Sequence, residues 1–340
     1  MDVTRHFACM MLALVCLGCP ATAQEQFRLG DDDLWTRIGT PEPGSAEEQL
    51  SVARRALASG QASRAATIAG DWIERHPDHP LLPEAHLVRG DALAASDDVY
   101  EALFDYEAIA RGHAGSEAFV RAIEREVAIA ERFLRGEKRR LGGIKFVDAT
   151  DDGEELLIRA QERLPGSRLA ERAAITLADH YLAERRMDLA AEMYDILLRN
   201  FPRSEYRDKA QRRIVYAHLA AFRGPEFDAG GLVNARTRLQ EIKATMPALA
   251  QTMSADALLT RIDGSDAEKR LRTAEWYLRT GDDVAAELTL RRLIRAHPEQ
   301  VATGRAIGLL RSLIPRLPGA IVDEVPEYRA LGLIVEEVSP

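Results

Sequence analysis

Between residues 45 and 315 apolar side chains recur at i, i+3, i+4 and i+7, and the runs break at short intervals on glycine, proline or aspartate. That period, with almost no strict alternation, predicts an all-helical chain. A longer period lies on top of it. In "AAEMYDILLRNFPRSEY", Ala190, Tyr194, Leu197 and Pro202 stand at offsets of 0, 4, 7 and 12. The same offsets return at Ala65, Ala69, Trp72 and Pro77, and at Ala286, Leu290, Leu293 and Pro298. They return again at Gly153, Leu157, Ala160 and Pro165, and at Ala235, Leu239, Ile242 and Pro247. A sixth copy starts at Ala102 and has Ala114 where the others have proline.

Each spacing has a physical reason. A small residue lets two helices approach closely, the residues four and seven further on share its buried face, and proline cannot continue the helix. Partner helices upstream have their own small residues, Gly90, Ala178 and Ala274, each followed three residues later by Leu93, Tyr181 or Tyr277. Six copies in phase predict stacked helix-turn-helix repeats, a degenerate tetratricopeptide (TPR) superhelix over residues 45–315. The copies are not evenly spaced. The extra residues fall in "GEKRRLGGIKFVDATDDG" and "RGPEFDAGG", each between a long first helix and its partner, and in "LAQTMSADALLTRIDGS", which is expected to add a helical piece before repeat six.

The ends read differently. "RHFACMMLALVCLGCPATAQ" joins Arg5 and His6 to an apolar run, Phe7 to Leu17, and to the small residues Ala21-Thr22-Ala23. That is the pattern of an export signal over residues 1–23, cut after Ala23, and its apolar run is too short to span a bilayer. All three cysteines (Cys9, Cys16, Cys19) lie within it, so the remaining chain has no thiol for a disulfide, metal site or nucleophile. Residues 24–44 hold Asp31-Asp32-Asp33 and a Pro-Glu-Pro-Gly run and are expected to be a flexible linker. Residues 316–340 alternate apolar clusters with acids, which suits a tail packing on or beyond the last repeat.

Three stretches resemble the BamD (YfiO-type) outer-membrane assembly lipoproteins, periplasmic TPR proteins of the β-barrel assembly machinery. They are "HPDHPLLPEAHLVRGDAL", "NFPRSEYRDKAQRRIVYAHLAAFRGPEFD" and "DAEKRLRTAEWYLRTGDDVAAELTLRRLIRAHPEQ". The likeness implies a location in the periplasm or at the inner face of the outer membrane. It further implies a BamA-like partner. That family anchors itself through an acylated cysteine. The nearest candidate here is Cys19 in "CLGC", with Cys16 standing where leucine or valine is usual, so lipidation at Cys19 is the alternative to cleavage after Ala23.

Charge and candidate chemistry change this picture little. A net charge of −9 with both signs interspersed argues against nucleic-acid binding. No phosphate loop, nucleophile elbow, HExxH or kinase set occurs, so neither an enzyme nor a cofactor is expected. His76, His79 and His86 straddle a repeat junction and are expected to be surface or capping residues. The basic run Lys138-Arg139-Arg140, preceded by Arg132 and Arg135, suits either a solvated helix end or an anionic partner. Asp91, Asp179 and Glu275 each follow a first-helix small residue by one position, and an acidic stripe there could bind an extended basic or polar peptide. The expected function is a non-enzymatic scaffold for proteins or extended peptides, in outer-membrane β-barrel assembly as the resemblance implies. The alternative is an adaptor for envelope or peptidoglycan maintenance.

Overall fold

The computed structural model describes residues 42–141, 144–319 and 321, together with two strands nearer the N-terminus. The export segment with Cys19, and everything after residue 321, lie outside the described residues. Strands β1 (Gln26–Leu29) and β2 (Trp35–Ile38) pair antiparallel. The segment expected to be a linker thus contains a hairpin, which alternation over four residues was too short to announce.

Six helix pairs follow. They are α1 (Ala46–Ala58) with α2 (Ala62–Arg75), α3 (Leu82–Ala95) with α4 (Val99–Gly112), and α5 (Glu117–Leu134) with α6 (Thr150–Arg163). Next come α7 (Arg168–Ala183) with α8 (Met187–Asn200), and α9 (Arg207–Ala221) with α10 (Gly230–Thr245). A short α11 (Pro247–Thr252) leads into α12 (Ala255–Thr280), which pairs with α13 (Asp283–Ala296), and α14 (Val301–Leu313) closes the array. Consecutive helices pack on one another, and α1, α3, α5 and α7 also touch in turn. First helices therefore line up as one layer and second helices as another.

The repeat offsets are the seam of this stack. Ala65, Ala102, Ala190, Ala235 and Ala286 are all fully buried, and Gly153 is buried with them. So are the residues four and seven further on, from Ala69 and Trp72 to Leu290 and Leu293. Where the copies reach proline, the residue before it caps the helix. His76, Leu164, Phe201, Met246 and His297 each donate their backbone N–H to the carbonyl at offset seven. One carbonyl of the frayed last turn is thereby satisfied before proline ends the helix. At Gly153 the helices approach closely, since a Cβ there would lie 3.0 Å from the Ala130 carbonyl oxygen.

Three irregular stretches take specific forms. The insertion after α5 folds as the antiparallel hairpin β3 (Arg139–Leu141) and β4 (Ile144–Val147). Arg139 and Arg140 thus lie in a strand and not at a helix end. The piece before repeat six merges with its first helix, which makes α12 26 residues long. Ala302, Ala306, Leu310 and Leu313 of α14 bury against α12 and α13, so this helix covers the face of the last repeat that a cap must cover.

Candidate functional site

The first-helix layer holds an open groove of about 750 Å³ formed by α1, α3 and α5. Its apolar surface comes from Leu57, Leu81, Leu87 and Val88, and Pro83 in the first turn of α3 adds to it. Charges cross it from helix to helix. Arg54 of α1 donates to Glu84 of α3 at 3.0 Å, and Arg121 of α5 approaches the same carboxylate at 3.6 Å. Each cation is about half exposed, so these pairs contribute little to stability and remain available to a ligand. An apolar strip flanked by paired charges of both signs suits an extended polypeptide, whose side chains can bury on the strip while its polar groups exchange with the rim.

The structure places all three acids of the sequence stripe in pairs within the chain. Asp91 accepts from the Tyr106 hydroxyl of α4 at 2.9 Å and from Arg125 Nε of α5 at 2.9 Å. Asp179 does the same in repeat four, accepting from the Tyr194 hydroxyl of α8 and from Lys209 of α9. Glu275 accepts from Arg305 of α14 at 2.8 Å, with Arg272 nearby, but the tyrosine position of its repeat is Leu290. Each acid therefore links its own first helix to the next first helix, and two of them also hold their own second helix. Burial pushes the Tyr106 and Tyr194 phenols well above their ordinary range, and the carboxylates that accept their protons add to the shift. The phenols stay neutral donors at any physiological pH.

Of the three acids only Asp91 lines the groove, where it sits with Arg54, Glu84 and Arg121. Those last three were not singled out in the sequence. Their signal was the recurrence of opposite charges about one repeat apart on first helices, which an unaligned reading does not isolate from a surface rich in both signs. The histidines have local roles. His79 Nδ1 accepts from the Leu81 backbone N–H at 3.1 Å and its ring meets Trp72 edge-on, while His86 Nδ1 lies 2.7 Å from buried Asp105. Among the described residues no group of three or more metal-ligating side chains converges, and no helix is long and apolar enough to cross a membrane.

Stacked helix pairs with a groove along their first helices define a TPR protein, a class that presents curved surfaces to polypeptides. Residues 148–315 match the model of the YfiO family, described as an outer membrane lipoprotein, and the BamD-like resemblance holds over that stretch. No curated protein matches the chain. Among solved structures, it is similar to a Podosopora anserina protein described as a kinesin light chain with nearly identical TPR-like repeats. The identity is 17%, the match covers 61% of this chain and 96% of that one, and the TM-score is 0.33. PilW, a type IV pilus biogenesis factor, is 14% identical over 77% of this chain and 98% of its own, with a TM-score of 0.28. PilF of Pseudomonas aeruginosa is 13% identical over 76% and 95%, with a TM-score of 0.27.

Proposed function

We propose that this protein is a non-enzymatic scaffold of the cell envelope, acting at the periplasmic face of the outer membrane in β-barrel protein assembly. In this reading the groove of α1, α3 and α5 holds an extended segment of a BamA-like partner. The observation that carries it is the YfiO-matching stretch, residues 148–315, built continuously into a repeat array that offers an open groove at its other end. Asp91 and its neighbours at the rim are the partner-binding residues, while Asp179 and Glu275 serve chiefly to space the repeats.

Site-specific photocrosslinking in cells tests this. A crosslinker at Arg121, exposed on the groove wall, should capture a BamA-like barrel protein, and one at Arg64, exposed on α2, should not. Capture of cell-wall enzymes from Arg121 would favour the envelope-maintenance adaptor instead. Equal capture from both positions would remove the groove from the mechanism.

A further inference from the structure

A second concavity, of about 560 Å³, lies where the C-terminal end of α9 and the loop after it face the first half of α12. Its wall is apolar, made of buried Leu232 and Ile262 and half-buried Leu219, Phe222 and Leu258. Two exposed arginines complete it, Arg223 from the loop and Arg261 from α12. Among the described residues neither arginine has a hydrogen-bond or ion-pair partner, and no carboxylate lines the pocket. The groove of α1, α3 and α5 differs in this respect, since its Arg54 and Arg121 converge on Glu84. Two uncompensated cations beside an apolar wall favour a ligand that carries carboxylates next to apolar side chains.

The chain carries such a sequence itself. Residues 322–340 hold five acids, Asp323, Glu324, Glu327, Glu336 and Glu337, against the single base Arg329. In Leu333-Ile334-Val335-Glu336-Glu337 an apolar triplet runs straight into an acid pair. The length of chain is sufficient. Arg316 donates to Asp283 at 2.6 Å, so the chain leaves the last repeat near the C-terminal end of α12. From Thr280 back to Ser265 at the pocket is 15 residues of that helix, about 23 Å. The 12 residues from 321 to 333 reach up to about 40 Å when extended.

We propose that residues 333–337 of the same chain occupy this pocket, with Leu333, Ile334 and Val335 on the apolar wall and Glu336 and Glu337 beside Arg223 and Arg261. The pocket shares no lining residue with the groove of α1, α3 and α5, so its occupant does not depend on what that groove holds. A partner that needs this face of the fifth and sixth repeats must first displace the segment.

The test places a photocrosslinking amino acid at Tyr216, which lines the pocket and is 52% exposed, in the purified full chain. Trypsin cuts after Arg329, so contact appears as the 330–340 peptide joined to the peptide of residue 216. That product is expected within one chain, at least about fivefold more abundant than from the same group at exposed Thr280, which a freely moving segment would reach at least as often. Arg223→Glu with Arg261→Glu should lower the yield about tenfold, and adding Glu336→Gln with Glu337→Gln should recover at least about twofold, because like charges no longer meet. Both arginines are exposed and unpaired, so their reversal leaves the fold intact, and unchanged helical circular dichroism verifies this. Equal yields from residues 216 and 280, or a yield that the arginine reversal leaves unchanged, would overturn the proposal. So would products joining two chains when isotope-labelled and unlabelled protein are mixed, or capture of another protein at residue 216 in cells in place of residues 330–340.

Discussion

Gly90 separates what the repeat pattern expects from what packing allows. In repeat four the equivalent position is Ala178, and Ala178 coexists with Tyr194. By pattern alone, Gly90→Ala should be tolerated and should add about 1 kcal/mol of helix propensity. In repeat two, however, a Cβ on Gly90 would stand 2.7 Å from Tyr106 Cε1, 3.0 Å from Cζ and 3.2 Å from Cδ1. Carbon atoms in contact prefer about 3.5–4.0 Å, so the ring must move by the better part of an ångström. It has little room, because Tyr106 is fully buried and its hydroxyl is held by Asp91. Overpacking costs roughly 1–3 kcal/mol, and a strained hydrogen bond to a carboxylate adds about 1 kcal/mol or more. After the propensity gain, the net loss should be about 1–3 kcal/mol. A repeat array need not unfold in one step, so a single melting temperature is the wrong assay. Hydrogen exchange resolved by helix is the right one, and the loss should concentrate in α3, α4 and α5. Tyr106→Leu supplies the control, since leucine is what repeat six has there as Leu290. In that background Gly90→Ala should be neutral or stabilising, and the two substitutions should couple by more than about 1 kcal/mol. A stabilising Gly90→Ala in the native background, or an equal loss in both, would refute the packing argument.

Further outcomes follow from other residues. Ala190→Leu places a larger side chain at a fully buried seam and should lower local stability of the middle repeats by about 1–3 kcal/mol. Exposed Arg199→Leu should change it by less than about 0.5 kcal/mol, and equal exchange behaviour of the two variants would invalidate the repeat register. Glu126 keeps its proton in the folded state up to about pH 7 but loses it near pH 4.5 when unfolded, so the group makes stability fall as pH rises through that window. Relative to wild type, Glu126→Gln should therefore gain stability between pH 5 and pH 8, by up to about 3 kcal/mol; a constant difference would show that Glu126 does not titrate there. Glu107 shifts the other way, since burial is outweighed by Arg163 and Arg111, and it is common to both proteins. If residues 1–23 act as an export signal cut after Ala23, the intact mass of the mature protein should match Gln24 to Pro340, and a mass starting at acylated Cys19 would establish lipid anchoring instead.

The sequence by itself determined the helical class, the six-fold repetition and the buried seam. Those follow from local rules that leave a periodic trace: a small residue where helices cross, its partners one and two turns later, and proline where the helix must stop. The two long first helices that precede insertions, α5 and α9, were legible for the same reason. The hairpins were not, because strands of three or four residues leave too short an alternation to stand out in a helical chain. Tertiary structure alone decided the fate of Asp91, Asp179 and Glu275. Their spacing marks the first-helix face, but only the stack sets Tyr106 and Arg125, 15 and 34 residues away, against the Asp91 carboxylate. The same holds for Glu126, whose charge reads as surface in the sequence. Its burial exists only once α4 and α6 close over α5, since desolvation is a property of what surrounds a group and not of its neighbours along the chain.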